Sequence, residues 1–247
     1  MEFRGASVYD EEKFYENYMK RRNRPESPNN IIEKPILLEM IGDVAGKRIL
    51  DLGCGDAEIG VELLQQGGDS YLGVDGSKNM ARVAALSLER TTTGQVLHSS
   101  MEAWQPQPGQ YDLVISRFAL HYLADLNGVF TKVHDSLVPG GKFIFSVQHP
   151  VLTSSAKSVE GSGRRSDWIV DDYFNQGERA EPWIGKKVIK YHRTIEEYFK
   201  LLLQAGFAVD DLREGTPRAD SFSSKEEYER RMRIPLVLLI SSTKRGE

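Results

Sequence analysis

The chain has 247 residues, of which 40% are hydrophobic and 28% charged, so it can bury one full α/β core. A formal net charge of −4 gives no overall field that would gather nucleic acid or an anionic membrane, and a single cysteine, Cys54, excludes an internal disulfide. No apolar run approaches the roughly 20 residues that span a bilayer, and no signal-peptide pattern is visible, so we expect a cytoplasmic protein.

Hydrophobic periodicity, glycine stops and proline breaks predict the elements of the first 150 residues. In chain order they are a helix over 10–22, a helix over 31–42, a strand over 47–52, a helix over 57–68, a strand over 70–75, a helix over 79–90, strands over 94–99 and 111–116, a helix over 127–138 and a strand over 141–147. Strands that alternate with helices in this way predict a mostly parallel sheet covered on both faces.

The composition and periodicity of the sequence change after Pro150. Residues 153–165 are rich in Ser, Gly and charge without any periodicity, which predicts a mobile loop, and the aromatic-rich segment 167–192 predicts a flap over a site. The remaining predicted elements are helices that begin at the capping boxes Thr194/Glu197 and Ser224/Glu227, and strands over 207–214 and 236–242.

The clearest functional motif is ILDLGCGDAEIG over residues 49–60, which places a glycine loop directly after the first strand of the sheet. Ligands bind at such loops because backbone N–H groups converge there, and Gly53 and Gly55 would let a ligand approach the main chain. Asp75 ends the next strand, where a carboxylate can accept hydrogen bonds from the 2′ and 3′ hydroxyls of a ribose. The pattern therefore predicts a ligand that contains adenosine.

The charges near the loop indicate which adenosine ligand binds. A dinucleotide fingerprint would have glycine where this chain has Glu58, and it would direct a pyrophosphate at the helix N-terminus. Asp51, Asp56 and Glu58 would repel a pyrophosphate but attract the ammonium and sulfonium groups of S-adenosylmethionine. The alternative is a tight strand-to-helix turn whose acids only cap the helix.

In its ordered motifs the chain resembles the class I S-adenosylmethionine-dependent methyltransferases, especially the small-molecule branch of bacterial type. The resemblance covers roughly residues 46–150 and rests on LDLGCG, GVDGS, HSSMEAW, YDLVISRFALHYL and LVPGGKFIFSVQHP. It implies an α/β fold with a doubly wound, mostly parallel, Rossmann-like sheet of seven strands, of which the last is antiparallel. The division that follows is an N-terminal helical cap (1–45), the cofactor-binding core (46–150), an inserted flap (151–192) and a segment that completes the sheet (193–247).

The resemblance also implies the contacts of the cofactor, S-adenosylmethionine, whose product is S-adenosylhomocysteine. The methionine moiety would lie at Asp51, Gly53 and Gly55, the ribose at Asp75, the adenine at Ser100 and Met101, and the methyl group above 116–118. The complete cofactor-binding prediction is Asp51, Gly53, Cys54, Gly55, Asp75, Gly76, Met80, Ser100, Met101, Glu102, Ser116, Arg117 and Phe118. No metal is expected.

Three positions depart from the family pattern. Ala57 stands where a third glycine is usual and should only tighten the loop. Gly76 replaces a bulky residue that stacks on adenine, so Met80 would have to fill that wall. Ser100 replaces an acid and would accept the hydrogen bond of the adenine amino group without charge.

Methyl transfer from a sulfonium is an in-line displacement that depends mainly on alignment, so a base is optional. His149 follows the strand over 141–147 at the edge where such sheets bind ligands, which makes it the predicted catalytic residue, either as a base or by orienting the acceptor. The alternative is a structural histidine that orders the turn at Pro150. For His121 we favour packing.

Aromatic residues outside the core predict the acceptor pocket, since rings suit a flat or apolar molecule. The predicted acceptor-binding residues are Tyr15, Tyr18, Tyr122, Trp168, Tyr173, Tyr191 and His192. The basic cluster Lys20, Arg21, Arg22 and Arg24 could attract a phosphate or carboxylate, although a solvated helix end is the favoured interpretation.

These features predict an S-adenosylmethionine-dependent methyltransferase that acts on a small molecule, as a monomer or homo-oligomer, without nucleic-acid or membrane partners. The alternatives are an RNA or protein methyltransferase, which should show a basic face, and a protein that binds S-adenosylmethionine without methylating anything.

Overall fold

The structure is a computed structural model that describes residues 2–159 and 167–246. At the N-terminus, β1 (Glu2–Arg4) and a 3-10 turn (Gly5–Asp10) precede α1 (Glu12–Arg22). The helix begins two residues later than predicted because the Glu11 carboxylate caps it, accepting a hydrogen bond of 2.7 Å from the Phe14 N–H. A π-helical turn (Asn29–Glu33) then leads into α2 (Lys34–Ile41).

Strands and helices alternate through the central part of the chain, as the sequence predicts. The elements are β2 (Arg48–Leu52), α3 (Glu58–Gln65), β3 (Ser70–Asp75), α4 (Lys78–Leu88), β4 (Gly94–His98), β5 (Tyr111–Arg117), α5 (Leu126–Ser136) and β6 (Leu137–Gln148).

The C-terminal part contributes a hairpin and the strands that finish the sheet. Its elements are α6 (Pro150–Thr153), β7 (Gly177–Trp183), β8 (Lys186–His192), α7 (Ile195–Gln204), β9 (Phe207–Glu214), α8 (Lys225–Arg231) and β10 (Val237–Lys244). Thr194 and Ser224 are the N-caps of α7 and α8, as the sequence predicts, since each hydroxyl accepts a hydrogen bond from the N–H three residues later.

The main sheet has seven strands in the order β4-β3-β2-β5-β6-β10-β9, and β10 is antiparallel to both of its neighbours. This arrangement confirms the predicted fold class. Two apolar cores cover the faces of the sheet, one rich in phenylalanine under α5 and α7 and one under α2 and α3. The strand order reverses between β2 and β5, which opens a crevice at their carboxyl ends.

A second sheet of three strands lies outside this core, in the order β1-β8-β7. Strands β7 and β8 form a hairpin, so the predicted flap contains regular structure, and β1 pairs in parallel with β8, with Phe3 opposite Val188. The N-terminal segment (residues 2–22) and the flap are therefore joined by backbone hydrogen bonds. Of the predicted loop 153–165, residues 160–165 lie outside the described residues.

Within the described ranges, no helix combines the length and apolar character needed to cross a membrane.

Candidate cofactor and acceptor site

A cavity of about 500 Å³ lies at the carboxyl ends of β2, β3 and β5, and the N-terminal segment covers it. Such a volume is ordinary for a site that holds a small organic ligand. Twelve of the thirteen predicted cofactor residues line this cavity: Asp51, Gly53, Cys54, Gly55, Asp75, Gly76, Met80, Ser100, Met101, Glu102, Arg117 and Phe118.

The loop after β2 needs glycine at residue 53. Its φ is +77°, and a Cβ there would lie 2.4 Å from the Cβ of Ala119, so no side chain fits. Ala57 also has a positive φ, +56°, at the start of α3. The alanine keeps a backbone conformation that favours glycine, at a cost of about 1 kcal/mol, rather than simply tightening the loop.

Asp51 presents an unpaired carboxylate oxygen at the cavity. Its Oδ2 accepts a hydrogen bond of 2.8 Å from the Tyr71 hydroxyl, whereas Oδ1 is buried and has no partner among the residues that the structure describes. Gly60 allows this contact, because a Cβ at that residue would collide with the Tyr71 ring. Burial raises the pKa of Asp51 to about 7, so a cation bound beside Oδ1 would stabilise its ionised form.

Asp75 lies at the end of β3 with both oxygens held by the backbone. Oδ2 accepts from the Gly55 N–H at 2.9 Å and Oδ1 from the Ser77 N–H at 2.8 Å. Burial raises the pKa of Asp75 to about 6. Each oxygen keeps a further lone pair, so the carboxylate fits a vicinal diol such as that of a ribose.

The wall near Gly76 is completed by a residue that the sequence did not indicate. Met80 lines the cavity there, but a Cβ at residue 76 would also lie 3.1 Å from the Cβ of Ala6, in the N-terminal turn. Opposite, the Ser100 hydroxyl already accepts a hydrogen bond of 3.1 Å from the Ala103 N–H. It can still accept one hydrogen bond and donate one.

The remaining predicted cofactor residue, Ser116, and the predicted catalytic residue, His149, lie outside the cavity. Ser116 is fully buried, and its hydroxyl donates a hydrogen bond of 2.7 Å to the Leu52 carbonyl. His149 is 1% exposed, and its Nε2 lies 2.8 Å from Glu214 Oε1 while its Nδ1 accepts from the Val151 N–H at the start of α6. Burial lowers the pKa of His149, and the Glu214 carboxylate opposes this shift.

This placement argues against the predicted catalytic role of His149. The strand β6 does end at the ligand-binding edge of the sheet, but α6 begins at Pro150 and the imidazole caps it instead of facing the cavity. The structural interpretation of His149 therefore fits the geometry better. His121 is buried, in keeping with the packing role favoured for it.

The predicted acceptor residues divide into two groups. Tyr18, Tyr122 and Tyr191 line the cavity, whereas Tyr15, Trp168, Tyr173 and His192 do not. Trp168 packs against the guanidinium groups of Arg230 and Arg233, at 5.6 and 4.9 Å from its ring. The His192 imidazole is held between the Thr153 hydroxyl and the Tyr173 carbonyl, each at 2.8 Å.

Tyr9 adds a phenol that the sequence analysis missed. Its hydroxyl lies 3.1 Å from that of Tyr122, and its ring packs edge-on against Tyr18 at 4.8 Å. Burial raises the pKa of all three phenols. The three tyrosines are therefore neutral at physiological pH and can donate hydrogen bonds to a ligand.

The N-terminal turn is attached to the cofactor region by Asp10. Its Oδ1 accepts hydrogen bonds from the Ser77 hydroxyl at 2.7 Å and the Asn79 N–H at 3.1 Å, at the start of α4. Other cavity residues outside the prediction are Arg4, Gly5, Ala6, Ser7, Arg22, Asn29, Ala119, Leu123 and Ala124. Only Arg22 had a sequence signal, as part of the basic cluster.

The arrangement can hold a ligand with an ammonium group at Asp51 and a diol at Asp75, so the residues present fit S-adenosylmethionine. Across the part of the chain that the structure describes, no group of three or more His, Cys, Asp or Glu side chains could hold a metal ion.

Comparison with known proteins agrees with this geometry. The family described as Methyltransferase domain matches residues 49–141. An uncharacterised protein of Haemophilus influenzae is 30% identical over 96% of this chain and 97% of its own length. A demethylmenaquinone methyltransferase of Lactococcus lactis is 25% identical over 77% of this chain and 78% of its own length.

A solved structure extends the comparison to the fold. The S-adenosylmethionine-dependent methyltransferase of Mesorhizobium loti superposes with a TM-score of 0.78 and 32% identity, over 85% of this chain and 97% of that protein. The predicted enzyme class and cofactor are thereby confirmed. The chain belongs to the S-adenosylmethionine-dependent methyltransferases.

Proposed function

We propose that the protein transfers the methyl group of S-adenosylmethionine to a small organic acceptor bound between the N-terminal segment, the β7-β8 hairpin and the turn after β5. The observation that carries this proposal is one continuous, covered cavity, which twelve of the predicted cofactor residues line together with the tyrosines Tyr9, Tyr18, Tyr122 and Tyr191. A covered cavity suits a molecule that can be enclosed better than it suits a polymer.

In this proposal the residues of the core hold the cofactor. Asp75 accepts hydrogen bonds from the ribose, Asp51 pairs with the ammonium group, and Gly53 and Gly55 leave room for the ligand beside the backbone. Bound S-adenosylmethionine supplies an already activated methyl carbon. The task that remains for the protein is to align the acceptor and exclude water.

The acceptor side of the cavity is lined by neutral phenols rather than by a base. None of the histidines among the described residues lines it, and burial keeps Tyr9 and Tyr122 protonated. These hydroxyls orient the acceptor as hydrogen-bond donors, and the rings pack against a flat molecule. We therefore propose an acceptor whose attacking atom needs no histidine base.

The N-terminal segment and the hairpin act as a lid in this proposal. Phe14, Val8 and Val188 form a small apolar cluster between them, and Asp10 attaches the segment to α4. Because β1 pairs with β8, closure brings both parts over the cavity together. The Lactococcus lactis relative, whose name specifies a quinone-type acceptor, supports a small molecule as the acceptor class.

The test is a transfer assay with methyl-labelled S-adenosylmethionine. Purified protein is incubated with quinols, phenols and small amines in one arm and with total RNA and protein extract in the other, and Asp75→Asn serves as the cofactor-binding control. We expect label to enter a small molecule only. Label confined to RNA or protein would refute the proposal, and so would binding of S-adenosylmethionine with no transfer in either arm.

A further inference from the structure

Arg117 has a donor that the protein itself does not use. Its Nε lies 3.1 and 3.2 Å from the two oxygens of Glu33, and its Nη2 also binds Glu33. Nη1 makes no hydrogen bond to any described residue, although Arg117 lines the cavity. Glu33 is fully buried and also accepts from the Ser146 hydroxyl at 2.9 Å, so it fixes the guanidinium in one orientation.

A second guanidinium with unused donors comes from α1. Arg22 lines the cavity, and its Nη2 lies 3.6 Å from Asp56 Oδ1, which is too long for a hydrogen bond. Tyr18 is one helical turn earlier on the same face of α1, and its hydroxyl also has no partner within the described residues. Arg22, Arg117 and Tyr18 all line this one cavity. Burial raises the pKa of the Tyr18 phenol, and the positive charges of Arg22 and Arg117 oppose that shift.

The charges at this end of the cavity select the ligand chemistry. Arg22 and Arg117 face Asp51, Asp56 and Glu33, so the cluster has no excess positive charge that would hold a lone anion. A ligand that brings both an ammonium group and a carboxylate would satisfy Asp51 Oδ1 and the free guanidinium donors together, because each charge then meets its opposite. The end of an α-amino acid has this combination.

We propose that Arg22, Arg117 and Tyr18 bind the carboxylate at the methionine end of the cofactor, opposite the ammonium group at Asp51. The assignment rests on the cofactor site proposed above. Arg117 belongs to the core and Arg22 and Tyr18 to α1, so the bound carboxylate bridges the core and the N-terminal segment. Glu33 is a positioning residue that orients Arg117.

The bridge has a consequence for the order of binding. Tyr9 and Tyr18 form part of the acceptor wall and belong to the segment that the carboxylate fastens. Binding of the cofactor therefore stabilises that wall, and we expect the acceptor to bind after the cofactor.

The test uses calorimetry to compare the affinities of Arg22→Gln and the wild-type protein for two ligands. S-adenosylhomocysteine carries the amino-acid end, whereas 5′-methylthioadenosine lacks it and still carries the ribose and adenine. We expect Arg22→Gln to weaken the binding of S-adenosylhomocysteine by about 10- to 100-fold, the effect of losing a charge-assisted hydrogen bond. The affinity for 5′-methylthioadenosine should change less than about threefold. Arg21→Gln is the matched control, since it removes the same charge from the same helix outside the cavity.

A hydrogen-exchange measurement tests the bridge independently of affinity. In the wild-type protein, saturating S-adenosylhomocysteine should protect residues 12–22 more than saturating 5′-methylthioadenosine does, and Arg22→Gln should remove the difference. Equal weakening of both ligands, or unchanged affinity for S-adenosylhomocysteine, would overturn the inference while leaving the cofactor site intact. Failure of the wild-type protein to bind S-adenosylhomocysteine would instead refute the cofactor site itself.

Discussion

Replacing Asp75 with alanine should weaken S-adenosylhomocysteine binding by about 10- to 150-fold. The carboxylate uses one lone pair of each oxygen for the Gly55 and Ser77 N–H groups, and the remaining lone pairs serve the ribose hydroxyls. Hydrogen bonds to a charged acceptor contribute about 1.5–3 kcal/mol, and each 1.4 kcal/mol corresponds to a tenfold change in affinity. The expected loss follows from removing that acceptor.

The same substitution should change the unfolding free energy of the unliganded protein by no more than about 2 kcal/mol. Burial raises the pKa of Asp75 to about 6, so the ionised carboxylate costs the free protein about 3 kcal/mol at neutral pH. Alanine removes that cost but leaves the buried Ser77 N–H without its acceptor, which costs about 1–3 kcal/mol. The two effects oppose each other, so affinity should fall much more than stability.

Calorimetry with S-adenosylhomocysteine and thermal unfolding of the unliganded protein separate the two quantities. Asp69→Ala is the matched control, because it removes an exposed carboxylate in the turn before the opposite end of β3. An affinity within threefold of the wild type, with an unchanged melting temperature, would refute the assignment of Asp75 to the ribose.

Four further predictions follow from the site and its surroundings. Because burial raises the pKa of Asp51 to about 7 and a bound ammonium favours its ionised form, cofactor binding should release protons near pH 6–7, measured by calorimetry in buffers of different ionisation enthalpy. In this pH range the native protein binds more protons than the unfolded chain, so Asp51 should make the unfolding free energy fall as the pH rises from about 4 through 7. Cofactor binding without proton release would contradict the raised pKa of Asp51. His149→Ala should lower the unfolding free energy by about 1–2 kcal/mol, through loss of the α6 cap and the Glu214 contact, and keep cofactor affinity and turnover within twofold; a large loss of turnover at unchanged stability would restore a catalytic role. Deleting residues 1–24 should abolish turnover while circular dichroism shows a folded core that binds cofactor weakly, and full turnover would refute the lid. Ala57→Gly should raise the unfolding free energy in urea by about 0.5–1 kcal/mol, since φ is +56°, and a decrease would show that the alanine is not strained.

The core of the fold could be predicted because its signals are local. Strands such as β2 and β10 contain short apolar runs, and the capping residues Thr194 and Ser224 lie beside the helices they begin. The residues of the β2 and β3 loops that line the cavity could be located for the same reason, since a strand end fixes where its next residues lie.

The parts that were missed depend on contacts between distant residues. Strand β1 has three residues, too few for any periodicity, and it exists because it pairs with β8. Glu33 reads as the polar side of an amphipathic helix, yet it is fully buried because Arg117, 84 residues later, neutralises it. Local pattern carries no information on such pairings.

His149 shows a different limit of prediction from sequence. The end of β6 was located correctly to within one residue, but the direction of a side chain there depends on the next turn of the chain. Pro150 starts α6 immediately, so the imidazole serves the helix. A strand end therefore predicts a location better than it predicts a role.

The pairing of β1 with β8 also affects the order in which the protein folds during its synthesis. Glu2 pairs with Lys187, so the ribosome must add 185 residues after the first partner before the second exists. The parallel core strands β2 to β6 are synthesised well before then, and they can begin to pair with one another while β1 still lacks its partner strand. Strand β1 is therefore made long before the strand with which it pairs, and nascent chains halted before residue 186 should leave the cavity without the cover that this pairing holds in place.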